Sequence, residues 1–261
     1  MGLEVKHIKV SYGTHTVIHD ESVCIPDGKI TMLIGENGCG KSTLLKTMAR
    51  VLTPSNGEVC IDGKNIRKIP EKKLAQKMAL LPQNPLVPEG ISVQELVGYG
   101  RFPYQKPSQG LRKEDYEIVT WAMKKTGVYD LKDRAVDALS GGQRQRAFIA
   151  MALAQKTKIL LLDEPTTYLD MAHQLEILEL LKQLNEEEHV TIVMVIHELN
   201  HACKFADYII GMKKGSVLFQ GDVNRVIHKE NLKELYQIDA VLMKHEEKGY
   251  PICVDYGLTN E

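Results

Sequence analysis

The chain has 261 residues, 43% hydrophobic and 26% charged, and its 33 Lys+Arg against 34 Asp+Glu leave a net charge of −1. That balance excludes a strongly basic nucleic-acid binder and an acidic disordered tail, while the apolar fraction is enough for a core. The longest apolar runs, 159–162 and 190–196, fall far short of the about 20 residues of a spanning helix. The first residues lack the apolar stretch of a secretory leader. Cys24, Cys39, Cys60, Cys203 and Cys253 form no C-x-x-C pair and are odd in number, which predicts reduced thiols in a cytoplasm.

Residues 3–11 and 17–25 predict two strands, followed by a turn at Pro26-Asp27-Gly28. Residues 29–34 predict a short buried strand. Residues 44–51 predict a helix that stops at Thr53-Pro54-Ser55-Asn56-Gly57. After a short apolar run at 78–81 the character changes. Pro85, Pro88, Pro103 and Pro107 punctuate the chain, and 91–99 and 112–126 predict helices, so this stretch reads as a helical insertion. Alternation returns after Ser140. A helix is predicted at 143–155, a strand at 159–162, and a helix at 171–184 with Met171, Leu175, Leu178 and Leu181 on one face; a buried strand follows at 190–196. The tail from Ala206 predicts strands around a Gly211/Gly215 turn and a short helix at 229–236, with 220–261 as an accessory segment. Short apolar strands separated by helices imply an α/β fold with a mainly parallel sheet covered on both faces. No internal repeat is visible, which favours one large domain.

Gly35-Glu36-Asn37-Gly38-Cys39-Gly40-Lys41-Ser42-Thr43 matches G-x-x-x-x-G-K-[ST] between a predicted strand and a predicted helix. In such a loop, glycines let backbone N–H groups turn inward on a phosphate, and the helix start adds its dipole. Lys41 then neutralises β/γ-phosphate charge and the Ser42 hydroxyl ligates Mg²⁺. The apolar strand at 159–162 ends in Asp163-Glu164. Asp163 is placed to hold Mg²⁺ through water, and Glu164 to polarise an attacking water. Leu139-Ser140-Gly141-Gly142-Gln143 opens the next helix and predicts a second anion site. One chain has no obvious use for two such sites around one triphosphate, whereas a dimer does. The plainer reading is a helix N-cap with flexible glycines.

In this order, the phosphate loop, Leu-Ser-Gly-Gly-Gln and Leu160-Leu161-Leu162-Asp163-Glu164-Pro165 resemble the ATP-binding cassette (ABC) ATPases over nearly the whole chain. The resemblance implies a RecA-like core with a mainly parallel sheet, an N-terminal antiparallel β subdomain, and a helical subdomain at about 85–150. It implies ATP and Mg²⁺ as ligands, with Mg²⁺ on Ser42, Gln83 and Asp163. Tyr12 matches the aromatic that stacks on adenine, and Gln83 the glutamine that contacts Mg²⁺ and senses the membrane partner. Residues 166–170 match the loop that crosses a dimer interface, with Asp170 as its acid. His197 matches the switch histidine that contacts the γ-phosphate. The partners implied are a second copy sandwiching two ATP, integral membrane permease subunits, and indirectly an extracytoplasmic substrate-binding protein, on the cytoplasmic face of the membrane. Glu36, Tyr168 and Glu198 depart from the usual pattern, but none removes a catalytic group.

Residues 93–105, with Gly100-Arg101-Phe102-Pro103-Tyr104-Gln105, resemble the ATPases of iron(III)-siderophore, haem and cobalamin importers. The TTYLD and QLEIL runs are similar to ferric-hydroxamate members. Phe102 and Tyr104 are expected to floor a groove for a partner helix, against ordinary packing as the alternative. Importers of haem, cobalamin or another chelate, and a soluble ABC ATPase, remain alternatives. His197-Glu198-Leu199-Asn200-His201 also fits H-E-x-x-H, a zinc-peptidase pattern if helical, but no third ligand has family spacing. The backbone donors around Cys39 are expected to lower its pKa and make it alkylatable. Trp121 is expected in the core, and Glu186-Glu187-Glu188 at a solvated helix end.

Overall fold

Alternating apolar positions build the first sheet. The computed structural model describes residues 2–106 and 110–259; Pro107 of the predicted proline set lies outside them. Leu3, Val5, Ile8 and Val10 bury one face of β1 (Leu3–Tyr12). β1 runs antiparallel to β2 (His15–Ile25), with Leu3 opposite Ile25 and Val5 opposite Val23. β3 (Ile30–Ile34) is buried at all five positions, as a strand covered on both faces must be. It leads into α1 (Lys41–Met48), whose Leu44, Leu45 and Met48 are fully buried. β4 (Asn56–Ile61) and β5 (Lys64–Asn65) complete an antiparallel sheet in the order β2-β1-β4-β5. β4 was not predicted, because it begins within the Pro-Ser-Asn-Gly turn and buries only Val59, Cys60 and Ile61.

Backbone contacts divide the chain into two units. One comprises the described residues up to Lys68 and from Thr191 onward; the other is Ile69–Val190. The second unit holds α2 (Glu71–Ala75), β6 (Met78–Leu81), α3 (Val93–Gly98), α4 (Lys113–Lys125), α5 (Gly141–Ala154), β7 (Ile159–Leu162) and α6 (Met171–Glu188). β6 and β7 pair in parallel from Met78–Ile159 to Leu81–Leu162. The α3, α4 and α5 helices pack on one another. A capping box opens α3: the Ser92 hydroxyl accepts from the Glu95 N–H, and the Glu95 carboxylate accepts from the Ser92 N–H. The buried stripe of α6 is Ile177, Leu178, Leu181 and Leu184. Met171 is 74% exposed, because the helix starts there and its first turn projects beyond that stripe. Trp121 is half-buried, with the Lys156 ammonium 3.2 Å from its ring centre. Of the predicted solvated acids, Glu187 pairs with Lys125 and Glu188 with Lys156.

The Gly-Arg-Phe-Pro-Tyr segment follows α3 as a 3₁₀ turn. A Cβ on Gly100 would lie 2.2 Å from the Met151 carbonyl oxygen, so only glycine allows that approach. Arg101 is buried and donates to Asp115 and to the Ala154 carbonyl, both at 2.8 Å. Its guanidinium lies 4.0 Å from the Tyr104 ring centre. The Tyr104 hydroxyl donates to the Gln155 carbonyl. Tyr104 is therefore a packing residue, contrary to the predicted groove floor. Phe102 is 55% exposed and stacks on Tyr99.

The chain re-enters the first unit with β8 (Thr191–Val195), α7 (Leu199–Phe205), β9 (Tyr208–Lys213), β10 (Ser216–Asp222), α8 (Val223–Val226), α9 (Lys229–Tyr236) and the hairpin β11 (Ile238–Lys244)–β12 (Pro251–Leu258). β3 runs parallel to both β8 and β9, and β10 returns antiparallel to β9. Gly211 lies inside β9, not in the predicted turn; a Cβ there would lie 2.4 Å from the Phe219 ring. The hairpin escaped prediction because Val241, Met243, Val254, Tyr256 and Leu258 are exposed, which leaves no clean alternation to read.

Burial pushes the Asp115 carboxyl up, but hydrogen bonds from Arg101 and the Arg112 N–H, with the guanidinium charge, bring it below the ordinary carboxylate value. Arg101→Met strands that carboxylate and is expected to cost about 3–5 kcal/mol, read as a fall in the urea midpoint. A depressed folded pKa contributes stability that is complete above the unfolded value of about 4 and is lost as pH falls through the folded one. The Tm gap between wild type and Asp115→Asn should therefore hold steady from pH 8 to 5 and narrow below about 4. A gap that widens on acidification would refute the assignment.

Candidate active site

The loop between β3 and α1 is built around one cation. The Lys41 side chain is 5% exposed, and its ammonium donates to the carbonyls of Gly35 (2.7 Å) and Glu36 (2.8 Å), with Cys39 Sγ 3.8 Å away. Gly35, Gly38 and Gly40 have φ of 142°, 76° and 109°, values an L side chain rarely adopts. A Cβ on Gly35 would lie 2.1 Å from the Met212 carbonyl oxygen. Gly40 is the N-cap of α1 and has no side chain to cap it, so the N–H groups of Lys41, Ser42 and Thr43 lack a side-chain acceptor at Gly40. Asn37 and Gly38 form the exposed tip. A buried cation beside an uncapped helix start suits a polyphosphate.

Cys39 behaves otherwise than predicted. Its thiol is 4% exposed, and burial pushes its pKa above the ordinary value against the pull of the Lys41 charge. Desolvation outweighs the nearby donors because the thiolate has lost water on nearly every side.

In the same unit, Tyr12 ends β1 with its ring 51% exposed. His197 is exposed just after β8. The helix α7 begins only at Leu199, with Glu198 as N-cap, so His197 and His201 do not share a helix face as the zinc pattern requires. His201 packs edge-on to Phe205 with its Nδ1 buried and unpaired; burial lowers its pKa. Among the described residues no cluster of three His, Cys, Asp or Glu side chains is placed to hold a metal.

In the second unit, β7 delivers Asp163 buried, its N–H bonded to the Leu81 carbonyl at 2.9 Å. Glu164 follows with φ 53°, a strained conformation for a side chain of this kind. Its carboxylate accepts from Gln83 Nε2 (2.5 Å) and from the Thr167 hydroxyl (2.9 Å). The structure thus joins Gln83 and Glu164, 81 positions apart, leaving the Gln83 carbonyl oxygen as a hard acceptor.

Ser140 and Gln143 form a capping box at the start of α5. The Ser140 hydroxyl takes the Gln143 N–H and not those of Gly141 or Gly142. Asp170 caps α6 through the His173 N–H (2.9 Å) and accepts from His173 Nδ1 at 2.8 Å. The His173 backbone and ring bonds hold its carboxyl below the usual range. A Cβ on Gly142 would lie 2.6 Å from the His173 ring. His173 therefore touches both the Gly-Gly turn and the Asp170 loop. Sequence reasoning missed it, since a histidine in a helix's first turn carries no motif.

Residues 18–167 match the family model described as ABC transporter. The chain belongs to the ABC transporter family. It is 50% identical over 256 residues to the iron(3+)-hydroxamate import ATP-binding protein FhuC of Bacillus subtilis, covering 98% of this chain and 95% of that one. It is 46% identical over 257 residues to the ferric enterobactin transport ATP-binding protein FepC of Escherichia coli, again covering 98% and 95%. Among solved structures, a metal-chelate type ABC transporter in an inward-facing conformation superposes with a TM-score of 0.84 at 27% identity, covering 97% of this chain and 96% of that chain. A dimeric ATP-binding cassette bound to ADP and Pi gives a TM-score of 0.72 at 28% identity, covering 84% and 98%. The α/β fold with a mixed core sheet, antiparallel strands and helices is that of the ABC ATPases, and the chain is an ATPase of that family. Among the described residues no helix is long and apolar enough to cross a membrane.

With its pKa raised, Cys39 should react slowly with N-ethylmaleimide at neutral pH. Exposed Cys24 is expected to label roughly ten times faster, and Cys39 labelling should accelerate as pH rises. Equal rates by peptide mass spectrometry would contradict the desolvated thiol.

Proposed function

We propose that this chain is the ATP-hydrolysing subunit of a binding-protein-dependent importer of ferric siderophores. It works as a pair of copies against integral permease subunits on the cytoplasmic side of the membrane. One observation carries the cargo: the full-length likeness to subunits named for iron(3+)-hydroxamate and ferric enterobactin transport.

The roles follow from the chemistry of each side chain. Bound Mg²⁺ supplies charge neutralisation to the triphosphate, and Ser42, Gln83 and Asp163 offer it the oxygen ligands it prefers. Lys41 and the N–H groups from Gly35 to Thr43, Glu36, Asn37 and Cys39 among them, hold the β- and γ-phosphates; Tyr12 offers its exposed ring to the adenine. Glu164 polarises the water that attacks the γ-phosphorus, while the bridging oxygen leaves with ADP. His197 holds the γ-phosphate in position. Ser140, Gly141, Gly142 and Gln143 serve the nucleotide of the second copy, and Asp170 lies on the loop facing that copy. The Glu164 interaction with Gln83 gives hydrolysis a direct neighbour in a residue that senses the permease. Exposed Phe102, stacked on Tyr99, and Leu86, 98% exposed, provide apolar surface for a permease helix.

Glu164→Gln is expected to bind ATP with unchanged affinity, lower turnover by roughly 10²–10⁴-fold and accumulate a nucleotide-bound dimer on gel filtration. Lys41→Ala should weaken ATP binding itself. The test of transport is Mg²⁺-dependent ATPase with and without co-purified permease, followed by ferric-siderophore uptake. Turnover that ignores every permease, or that persists in Glu164→Gln, would overturn the proposal.

A further inference from the structure

His197 stands between two anchors. On its N-terminal side the Ile196 N–H bonds the Leu33 carbonyl at 3.2 Å, tying it to β3, the strand that runs into Gly35. On its C-terminal side, three residues along, Asn200 grips the backbone of one residue of the C-terminal hairpin. Its Nδ2 donates to the Cys253 carbonyl at 3.0 Å, and its Oδ1 accepts from the Cys253 N–H at 2.8 Å. An amide side chain thus supplies both bonds that a neighbouring strand residue would otherwise make with that residue.

The rest of α7 is held by packing on β12 and β3, with Ala202, Cys203 and Phe205 buried. Its N-cap, Glu198, makes no side-chain cap bond, and the Asn200 side chain ties its first turn to the hairpin instead. Asn200 is itself exposed while Cys253 is buried, so the pair links the surface of α7 to the edge of the core. The segment carrying the hairpin has a second foothold at the loop. The Tyr236 hydroxyl, at the end of α9, is buried without a hydrogen bond of normal geometry and lies beside the Gly35 N–H. Next to it, α9 packs on β11 and on β9.

We propose that the β11–β12 hairpin positions His197 through Asn200, so that the C-terminal segment sets the rate of phosphoryl transfer without touching the nucleotide. Asn200 is a positioning residue: with its bonds to Cys253 released, the segment carrying His197 keeps its tie to β3 and gains freedom on the α7 side. A misplacement on the order of 1 Å is enough to cost up to about 10²-fold in rate. The inference rests on the reading of His197 as the γ-phosphate contact.

The experiment compares Asn200→Ala, Asn200→Asp and His197→Ala in the full chain with its permease. Asn200→Asp keeps the acceptor for the Cys253 N–H but loses the donor to its carbonyl. Asn200→Ala is expected to lower kcat roughly tenfold, with ATP affinity within twofold of wild type, and Asn200→Asp to fall between. In the nucleotide-free protein, amide exchange of the peptide covering 196–202 and of the Cys253 N–H should speed up in Asn200→Ala while Tm holds. Unchanged kcat in Asn200→Ala beside an inactive His197→Ala overturns the positioning role alone. Loss of Tm and ATP affinity together with kcat in both Asn200 variants makes the pair merely structural and also overturns it. Normal turnover in His197→Ala removes the reading beneath the proposal, and the proposal with it.

Discussion

A lysine ammonium held inside a backbone turn is the constraint around which the first unit is arranged. The interior tolerates such a charge only where acceptors surround it, and the Gly35 and Glu36 carbonyls do so for Lys41. Turning those carbonyls inward requires positive φ at three glycines. Passing the turn against β9 leaves no space for a side chain at Gly35. The parallel pairing of β3 with both β8 and β9 then follows as the support that holds this turn in place. Without a rigid strand entering it and a helix leaving it, the buried charge would relax toward water.

The second unit keeps its chemistry under a different strain. Glu164 and Tyr168, four residues apart, both have positive φ, each costing on the order of 1–3 kcal/mol. Hydrogen bonds from Gln83 and Thr167 help hold Glu164 there. Caps order the flanking helices: Ser140 with Gln143 for α5, and Asp170 with His173 for α6. The same Ser-Gly-Gly-Gln stretch is both a capping box and a candidate anion contact. The two readings do not compete, because the cap consumes the Gln143 N–H and not those of the glycines.

Much of this was legible because periodicity and punctuation agreed. The buried strands 30–34, 159–162 and 191–195 are short, almost wholly apolar runs, broken only by Thr31 and Thr191, and the helix at 229–236 falls where its pattern put it. The failures share a physical cause, namely that long-range contacts override local signals. β4 starts in a turn sequence and exists because β1 offers it a partner. Gly211 reads as a turn but lies in a strand because the Phe219 ring fills the place of its side chain. Cys39 reads as reactive from its donors, yet burial, which no spacing reveals, decides its acidity. The His173 ring meets Gly142 and the Asn200 amide meets Cys253, each across a long stretch of sequence, and neither contact leaves a motif.

The Gly-Arg-Phe-Pro-Tyr segment shows how one motif divides its labour. Read as a unit, it suggests a surface for a partner. In the structure Gly100 allows a backbone approach, Arg101 closes a buried ion pair with Asp115, and Tyr104 stacks beneath the guanidinium. Only Phe102 of this group presents a large apolar surface to solvent. The buried members fix the 3₁₀ turn, and the fixed turn holds Phe102 outward against Tyr99. An exposed aromatic on a loose loop would lose conformational entropy on docking; one held by a salt bridge and a stacked ring has already lost most of it during folding. In the proposed docking of a permease helix at Phe102, the buried pair contributes without being part of the contacted surface, much as Asn200 is proposed to act on His197.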